Sequence, residues 1–225
     1  DGITVLDFSR VLAGPYCTMV LADMGARVIK VERFGTGDDT RAFGPFVEDE
    51  SAYFMCFNRG KESITLDVKS PRDRDLLERL LDEADVLVEN FRPGVMERLG
   101  LGPEVLLADN PKLVYGRMTG WGQTGPYAPH AGHDINYIAL AGALAHFGRA
   151  GEKPTPPINM VGDFGGGGMM LAFGMVSALL NVARGGEGQM IDAAMTDGTA
   201  VLMAMIHGMA NQGIWREDMG ANLLD

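Results

Sequence analysis

The sequence predicts an α/β fold in which an open, mostly parallel sheet is covered by helices on both faces. Short apolar runs rich in β-branched residues alternate with segments of helical periodicity, and Gly or Pro marks many of the turns between them. The first 32 residues already show a strand, a helix and a second strand, which is the unit from which parallel sheets are built. With 225 residues, 46% of them hydrophobic, the chain can bury a substantial core.

In the first half of the chain, strands and helices follow one another in order. Pro15 suits the first turn of a helix that runs to about Met24. Ser70-Pro71 begins a second helix, whose leucines share one face. The predicted strands are Ile3 to Phe8, Arg27 to Glu32, Ser63 to Val68, Asp85 to Glu89 and Leu113 to Met118, and short helices are predicted at Met96 to Leu99 and Pro103 to Ala108.

Apolar helices dominate the second half. Asp134 and Asp163 stand just before the apolar runs Ile135 to Phe147 and Met169 to Leu180, so each aspartate is a candidate N-cap. Four glycines, Gly165 to Gly168, follow Asp163. Because a glycine inside a helix costs up to ~1 kcal/mol relative to alanine, this run indicates that another helix or a ligand approaches the backbone closely.

The last part of the chain continues the same alternation. Arg184-Gly185-Gly186 is typical of a helix end, Gln189 to Asp192 is predicted to be a brief strand, and Ala193 to Met209 a buried helix. Many methionines lie in this half of the chain. Core filling is their default role, and the alternative is a surface that moulds around an apolar ligand.

Two glycine-containing turns lack the spacing of known phosphate-binding loops. The turn after the first strand holds only Gly14 and no G-x-G-x-x-G, so Glu32 is interpreted as a solvated strand-end charge rather than as a ribose ligand. The loop from Gly120 to Gly125 is not closed by Lys-Ser or Lys-Thr, and we interpret it as a flexible or close-packed turn. Residues 34–62 are polar and contain glycines, which predicts a long irregular loop.

Composition argues against several classes of function. Thirty acidic and nineteen basic residues give a net charge of −11, so we expect neither a general nucleic-acid binder nor an anionic-membrane binder. Cys17 and Cys56 fit no metal-ligand spacing, and two free thiols suit a reducing compartment such as the cytoplasm. The apolar runs are too short and too rich in Gly and Ala to predict a membrane span. The chain begins at Asp1 without Met, and we expect a fragment.

Four basic residues lie at or just beyond the ends of predicted strands: Arg33, Lys69, Arg92 and Arg98. In an open parallel sheet, the loops that follow the strands converge on one edge, where ligands bind. One interpretation is a cationic site for phosphate groups, and the other is solvated surface charge. Solvation is the better default for any single residue, but four such positions in an acidic chain leave both interpretations open.

His133 and Asp163 each place an ionisable side chain at a predicted helix start. Backbone N–H groups at helix starts favour developing negative charge, so two such residues facing one pocket can move a proton next to a carbonyl group. The alternative for Asp163 is a simple cap. We interpret His130, His146 and His207 as structural histidines, and no second His or Cys stands at metal-ligand spacing.

Six motifs, in order along the whole chain, resemble the class III CoA-transferase family. They are Val-Leu-Asp-Phe-Ser, Ala-Asp-Met-Gly-Ala-Arg-Val-Ile-Lys-Val-Glu, Glu-Asn-Phe-Arg-Pro-Gly-Val, Arg-Met-Thr-Gly-Trp-Gly-Gln-Thr-Gly-Pro, Gly-His-Asp-Ile-Asn-Tyr and Gly-Asp-Phe-Gly-Gly-Gly. The resemblance is greatest to the α-methylacyl-CoA racemase branch, because the family's transferases generally lack the histidine matching His133. It implies that residues 1–225 form a Rossmann-like large domain for CoA binding and catalysis, within an interlocked homodimer. Most of a smaller second domain would lie beyond this chain.

The resemblance also implies roles for individual residues. His133 and Asp163 would be the acid/base pair of a racemase that interconverts (R)- and (S)-2-methylacyl-CoA through an enolate, with helix N–H groups near Asp163 holding the enolate oxygen. Contacts with CoA are implied at Arg33, Leu66, Asp67, Val68, Lys69, Asn90, Phe91, Arg92, Arg98, Gly132, Asp134, Ile135, Asn136 and Tyr137. CoA is part of the substrate, and neither a separate cofactor nor a metal is implied.

Two other functions stay open from the sequence. A CoA-transferase would use Asp163 as a nucleophile, and a non-catalytic acyl-CoA-binding protein would need neither His133 nor Asp163 for chemistry. The loop at 34–62 is longer than expected for the racemases. Relatives in the family occur in bacterial cytoplasm and in eukaryotic peroxisomes or mitochondria, so the expected location is cytoplasmic, or one of those organelles in a eukaryote.

Overall fold

Six parallel strands form the sheet at the centre of the structure, a computed structural model that describes residues 2–224. The strands are β1 (Thr4–Asp7), β2 (Arg27–Arg33), β5 (Glu62–Leu66), β6 (Val86–Glu89), β7 (Val114–Thr119) and β8 (Met190–Ala194), and β3 (Phe46–Val47) pairs with β4 (Glu50–Ser51) in a separate hairpin. Their order in the sheet is β5-β2-β1-β6-β7-β8, and every neighbouring pair is parallel. The predicted α/β fold is confirmed. The six sheet strands lie within two residues of their predicted bounds.

Helices connect the strands. They are α1 (Ala13–Asp23), α2 (Ala52–Asn58), α3 (Pro71–Asp82), α4 (Val95–Arg98), α5 (Pro103–Asp109), α6 (Asp134–Leu140), α7 (Met170–Ala183), α8 (Met195–Leu202) and α9 (Ala204–Asn211). Short 3₁₀ helices occupy Asp39–Ala42 and Ala143–His146, and a π-helix spans Met160–Met169. The first three elements along the chain are β1, α1 and β2, as the sequence predicts.

Two hydrophobic cores, one on each face of the sheet, hold these layers together. Successive strand residues point to opposite faces, so Val5 belongs to the core under α1 and α7, while Leu6 belongs to the core under α3, α4 and α5. Both side chains are fully buried. Tyr115 fills the second core and donates its hydroxyl to Leu101 O at 2.9 Å, so the ring is buried without leaving its oxygen unpaired. Both cysteines are free.

The segment 34–62 is not the irregular loop that the sequence predicted. It contains the first 3₁₀ helix, the β3–β4 hairpin and α2, which is capped by Ser51 through a hydrogen bond from Phe54 N at 3.1 Å. Glu32 is also not a solvated charge. Its side chain is 1% exposed, and its two carboxylate oxygens accept hydrogen bonds from Arg41, each 2.7 Å long. The sequence prediction missed this structure because a buried ion pair, rather than an apolar pattern, holds the segment against β2.

One continuous helix carries the glycine run. The π-helix leads directly into α7, and together they form Met160–Ala183, the one helix among residues 2–224 that is long and apolar enough, by length and composition, to cross a membrane. The expectation that every apolar run is too short for a span was therefore wrong, because two segments join. In the fold, the π-helix contacts α1 and α8, and α7 packs on β7 and β8. One side of Met160–Ala183 thus packs within the α/β layers, while Phe173, Val176 and Leu180 are exposed.

The glycines lie where other helices approach. A Cβ added to Gly166 would lie 2.7 Å from Thr199 N, and one added to Gly168 would lie 2.9 Å from Ala13 O. On the α8 side, a Cβ on Gly198 would lie 1.8 Å from Gly166 O. The close approach predicted from the sequence is therefore an approach by α1 and α8 to the π-helix.

Neither aspartate is the helix cap that the sequence predicted. His133 is the extended N-cap residue of α6, and Asp134 is the first residue of that helix. Asn159 precedes the π-helix, and Asp163 lies within its first turn. Helix α6 is also shorter than the predicted run Ile135 to Phe147. It ends at Leu140, and the 3₁₀ helix Ala143–His146 follows.

The predicted buried helix Ala193 to Met209 is two helices. Met203 separates α8 from α9, and α9 has no buried residue. Val201, Leu202 and Met205 are 61%, 49% and 50% exposed. The prediction failed because apolar composition alone does not distinguish a core helix from one with an exposed apolar face.

We expect Gly198→Ala to lower the free energy of unfolding of the full-length protein by at least about 2 kcal/mol, because the added methyl group would overlap the Gly166 carbonyl. Gly208→Ala is the matched control. Gly208 lies within α9 with nothing within 4 Å of an added Cβ, so alanine there should raise stability by up to ~1 kcal/mol. Urea unfolding of both variants tests this, and an unchanged Gly198→Ala protein would contradict the close packing.

Candidate active site

A cavity of about 810 Å³ opens at the carboxyl-terminal edge of the sheet. It is bordered by residues that end or follow β1, β2, β5 and β6. The cavity therefore lies where ligands bind in open parallel sheets. Seven of the predicted CoA contacts line it: Arg33, Leu66, Asp67, Val68, Lys69, Phe91 and Arg98.

The other predicted contacts do not line this cavity. Arg92 is exposed outside it, and Asn90 turns its side chain toward the main chain of Arg10. The motif around His133, comprising Gly132, Asp134, Ile135, Asn136 and Tyr137, lies at the start of α6 instead. Contact of these residues with CoA stays a prediction. Three of the four predicted sheet-edge cations thus share one cavity, and Arg92 does not.

Sequence reasoning missed two cations of the cavity, Arg10 and Lys30. Arg10 lies just beyond the end of β1, and Arg33 is the last residue of β2. The rule that ligands bind where parallel strands end could therefore have found Arg10 as well. Lys30 lies inside β2, with a side chain that is 2% exposed, and its Nζ is 2.9 Å from Asp38 Oδ2. A lysine inside a strand carries no sequence signal for such a buried pair.

Asp163 is a buried carboxylate on the π-helix. Its Oδ2 accepts a hydrogen bond from Asn159 Nδ2 at 2.7 Å, and Asn159 has the left-handed backbone conformation that begins this helix. Burial raises the pKa of Asp163 to about 6, although the Asn159 hydrogen bond and the nearby His133 oppose the rise. A carboxyl group with this pKa can both accept and return a proton near neutral pH.

Asp134 joins the start of α6 to the π-helix. Its carboxylate is buried, and Oδ2 accepts a hydrogen bond from the backbone N–H of Asp163 at 2.7 Å. That N–H is therefore occupied, and donation to an enolate oxygen by other helix N–H groups near Asp163 stays a prediction. Gly162 makes room for the contact, because a Cβ there would lie 2.5 Å from the same Asp134 oxygen.

His133 directly precedes Asp134, and hydrogen bonds within the same turn hold its backbone. Its backbone N–H donates to Asn136 Oδ1 at 2.9 Å, while Tyr137 donates its hydroxyl to Gly132 O, so the residues around His133 are fixed. The imidazole is exposed. A charge on His133 lowers the pKa of Asp163 less than the Asn159 hydrogen bond does, and the acid/base pairing of His133 with Asp163 stays a prediction.

An aromatic group that the sequence did not indicate borders Asp163. The Phe164 ring lies 4.8 Å from that of Tyr16 and 5.5 Å from that of Phe57, measured between centroids. Tyr53 continues the group at 5.7 Å from Phe57. Burial, with a further contribution from the Asp163 charge, raises the pKa of Tyr53. Helix α2, within the segment expected to be irregular, thus supplies part of the surroundings of Asp163.

The remaining histidines have other neighbours or are exposed. His146 accepts a hydrogen bond at Nδ1 from Trp215 Nε1 at 3.2 Å, which agrees with the structural role predicted for it. The His130 ring lies 6.5 Å from that of Tyr127, and His207 is exposed on α9. Among residues 2–224, no group of three or more His, Cys, Asp or Glu side chains could hold a metal ion.

The loop between β1 and α1 connects the two regions. Phe8, Ser9 and Arg10 line the sheet-edge cavity, and α1, the next helix, contacts the π-helix that carries Asp163. The fold and site together define an α/β domain with a cationic cavity at the sheet edge and, beyond that loop, a buried carboxylate whose pKa is raised. That is the class of protein to which the geometry points.

Comparison with known proteins shows that the chain belongs to CoA-transferase family III, whose model matches residues 1–222. It is 46% identical over 225 residues to human "Alpha-methylacyl-CoA racemase", covering 100% of this chain and 55% of that protein. It is 45% identical to the "Acetyl-CoA:oxalate CoA-transferase" of Acetobacter aceti over 207 residues, covering 90% of this chain and 52% of that enzyme. The chain thus spans about half the length of these relatives, and the family includes both racemases and CoA-transferases.

Solved structures agree with this assignment. A CaiB/BaiF family protein from Brucella suis matches with a TM-score of 0.90 and 40% identity, covering 98% of this chain and 59% of that one. A hypothetical protein from Mycobacterium tuberculosis matches with a TM-score of 0.83 and 39% identity, covering 94% and 58%. The resemblance carried by the six sequence motifs is therefore confirmed at the level of family and fold.

The raised pKa of Asp163 makes stability depend on pH. The folded value of about 6 lies above the ordinary 3.8, so ionisation opposes folding, and stability is lost as the pH rises through this range. Asp163→Asn removes the titration. Ionisation of Asp163 then destabilises only the original protein. We therefore expect the free energy of unfolding of the variant minus that of the original protein to increase by on the order of 3 kcal/mol between pH 4 and pH 8.

Urea unfolding of the full-length protein at both pH values measures this difference. Asp75→Asn, on the exposed face of α3, removes a carboxylate that has no such burial, and its relative stability should stay constant. A parallel pH response of the Asp163 and Asp75 variants would contradict the burial effect.

Proposed function

We propose that the full protein is a racemase that interconverts the (R) and (S) epimers of 2-methylacyl-CoA thioesters. The observation that supports it is a buried carboxylate, Asp163, whose pKa is raised to about 6, and we propose that the exposed imidazole of His133 is its partner in proton transfer. Racemisation next to a thioester needs two proton-transfer groups, one on each face of the reacting carbon. The 46% identity to proteins named alpha-methylacyl-CoA racemase, over the whole chain, favours the same chemistry.

In this proposal the cavity holds the phosphate-bearing half of the substrate. Arg33, Lys69 and Arg98 lie at its border as exposed cations, while Leu66 and Val68 offer apolar contact surface. The pantetheine arm would pass the loop between β1 and α1. The thioester would then lie beside the π-helix, between His133 and Asp163.

The chemistry proceeds by two proton transfers. For one epimer, ionised Asp163 removes the proton from the carbon next to the thioester carbonyl, and the electron pair moves into an enolate. Protonated His133 then returns a proton to the opposite face, leaving Asp163 protonated and His133 neutral. The other epimer reverses the roles, and exchange with solvent resets both groups. Each positioned acid or base typically contributes ~10²–10⁴-fold to the rate.

Incubating the full-length protein with one epimer of a 2-methylacyl-CoA in heavy water tests the proposal. We expect epimerisation together with incorporation of one deuterium at the reacting carbon, read by mass spectrometry and chiral chromatography. His133→Ala and Asp163→Asn should each lower the rate by ~10²-fold or more. His207→Ala, an exposed histidine on α9, should be unaffected. If neither epimerisation nor deuterium uptake occurs, the protein is not this racemase.

A CoA-transferase is the second candidate, because relatives of 45% and 43% identity carry that name. Here the Asp163 carboxylate attacks the thioester carbonyl, releases the CoA thiolate and forms a mixed anhydride. The thiolate next attacks the Asp163 carbonyl carbon, which gives an aspartyl-CoA thioester and frees the acid. Transfer would need a carboxylic acid acceptor, tolerate His133→Ala better than Asp163→Asn, and leave a thioester on Asp163 that hydroxylamine traps.

The homodimer, the cytoplasmic location and the absence of a separate cofactor are parts of the same proposal. They come from the family resemblance, together with the two free cysteines of the chain. They stay predictions for the full-length protein.

A further inference from the structure

Two arginines of the cavity share one carboxylate. Arg33 Nη2 lies 2.9 Å from Asp39 Oδ1, and Arg10 Nη1 lies 3.6 Å from Asp39 Oδ2. These three side chains, the Arg10–Asp39–Arg33 cluster, are between 42% and 55% exposed. Both arginines line the cavity. A single aspartate is therefore paired with two guanidinium groups that line the cavity.

Arg10 is held in place by the chain after β6. Asn90 accepts a hydrogen bond from Arg10 N at 2.9 Å and donates one to Arg10 O at 2.7 Å, which fixes the main chain of the arginine on both sides. Its guanidinium carbon lies 5.0 Å from the centre of the Phe91 ring, within cation–π distance. Asn90 and Phe91, both predicted from the resemblance as CoA contacts, thus position Arg10.

The other charges of the cavity are arranged differently. Lys30 is paired with Asp38, and Glu32 with Arg41, in contacts of 2.9 and 2.7 Å that leave Lys30, Asp38 and Glu32 almost fully buried. Lys69 and Arg98 make no side-chain ion pair within residues 2–224. Among the exposed cations that line the cavity in the described part of the chain, only Arg10 and Arg33 form a side-chain ion pair, and both form it with Asp39; the exposed Asp67, which also lines the cavity, accepts a hydrogen bond from Lys69 N at 3.0 Å instead.

We propose that Asp39 is an internal substitute for a ligand phosphate, and that a phosphate group of the bound ligand displaces it from Arg10 and Arg33. This rests on the proposed function in one respect, that the ligand is a CoA thioester with phosphates in its nucleotide half. Exposed ion pairs are weak and readily exchanged, whereas guanidinium groups bind phosphate oxygens bidentately. Without a ligand, Asp39 keeps the two arginines from repelling each other and holds them near their binding positions.

Release of Asp39 needs no rearrangement of its neighbours. The adjacent Asp38 stays anchored by Lys30, and its Oδ1 accepts hydrogen bonds from Thr40 N at 2.9 Å and from Thr40 Oγ1 at 2.7 Å. The 3₁₀ helix that begins at Asp39 is therefore fixed independently of the Asp39 side chain. The exchange is a rotation of exposed side chains.

The proposal predicts whether a substitution of Asp39 strengthens or weakens CoA binding. Asp39→Asn removes a competing anion near the ligand phosphates, so CoA should bind more tightly, by about 3-fold. If Asp39 served only to support the arginines, the same substitution would weaken binding. Arg10→Gln should weaken CoA binding by about 10-fold or more, because a charged hydrogen bond is lost. In the double variant that combines Arg10→Gln with Asp39→Asn, the increase in CoA affinity caused by Asp39→Asn should be smaller than in the single variant.

Isothermal titration of the full-length protein with CoA measures these affinities, and circular dichroism confirms that each variant is folded. Asp75→Asn, on the exposed face of α3, makes the same change in net charge away from the cavity and should bind like the original protein. Asp39→Ser is a second variant with the same expected sign, in case the asparagine protein does not fold.

Equal or weaker CoA binding by the folded Asp39 variants would overturn the exchange, as would unchanged binding by Arg10→Gln. CoA binding with the expected signs but no epimerisation would refute the racemase while supporting the exchange. A protein that does not bind CoA at all would refute both.

Discussion

The close contact between the π-helix and its neighbours is the constraint on which the candidate site depends. Gly166 and Gly168 let α8 and α1 approach backbone to backbone, at distances that no larger residue would permit. Gly162, Asp163 and Gly166 to Gly168 are the buried residues of this helix, and burial is the main cause of the raised pKa of the Asp163 carboxyl group. A π-helical turn is rare and often coincides with a functional site. The cost of the glycine run in helix propensity is thus explained by the close approach of α1 and α8 to the π-helix that carries Asp163.

A second group of contacts attaches the segment 34–62 to the sheet through buried charges. Lys30 pairs with Asp38, and Lys61 lies 3.0 Å from Asp7, with all four side chains at most 2% exposed. Such pairs add little net stability compared with apolar packing, but loss of one partner leaves an unpaired buried charge. They specify where the segment lies. That placement brings α2 and its aromatic rings to Asp163, and the first 3₁₀ helix to the cavity.

Periodicity and turn chemistry allowed the sheet and one part of the site to be predicted from the sequence. Strand bounds were accurate because the apolar runs are short and ended by Gly, Pro or charged residues, and the strand-end rule placed Arg33, Lys69 and Arg98 around one cavity. Prediction failed where a long-range polar contact decides the structure. The capping prediction for Asp134 could not reveal that its carboxylate binds the N–H of Asp163, 29 residues later. No local pattern encodes a hydrogen bond across that separation.

In our proposal, racemase and transferase use the same cavity and the same carboxylate, so the distinction depends on the groups around Asp163. A nucleophile must be ionised and close to the thioester carbonyl, whereas an acid/base group needs a partner on the other face of the neighbouring carbon. His133 is exposed and lies at the start of α6, and our proposal assigns it the second role. Asp134 connects the two by fixing α6 to the π-helix. The choice between the two activities therefore rests on one imidazole and on the buried hydrogen bond that holds its helix beside Asp163.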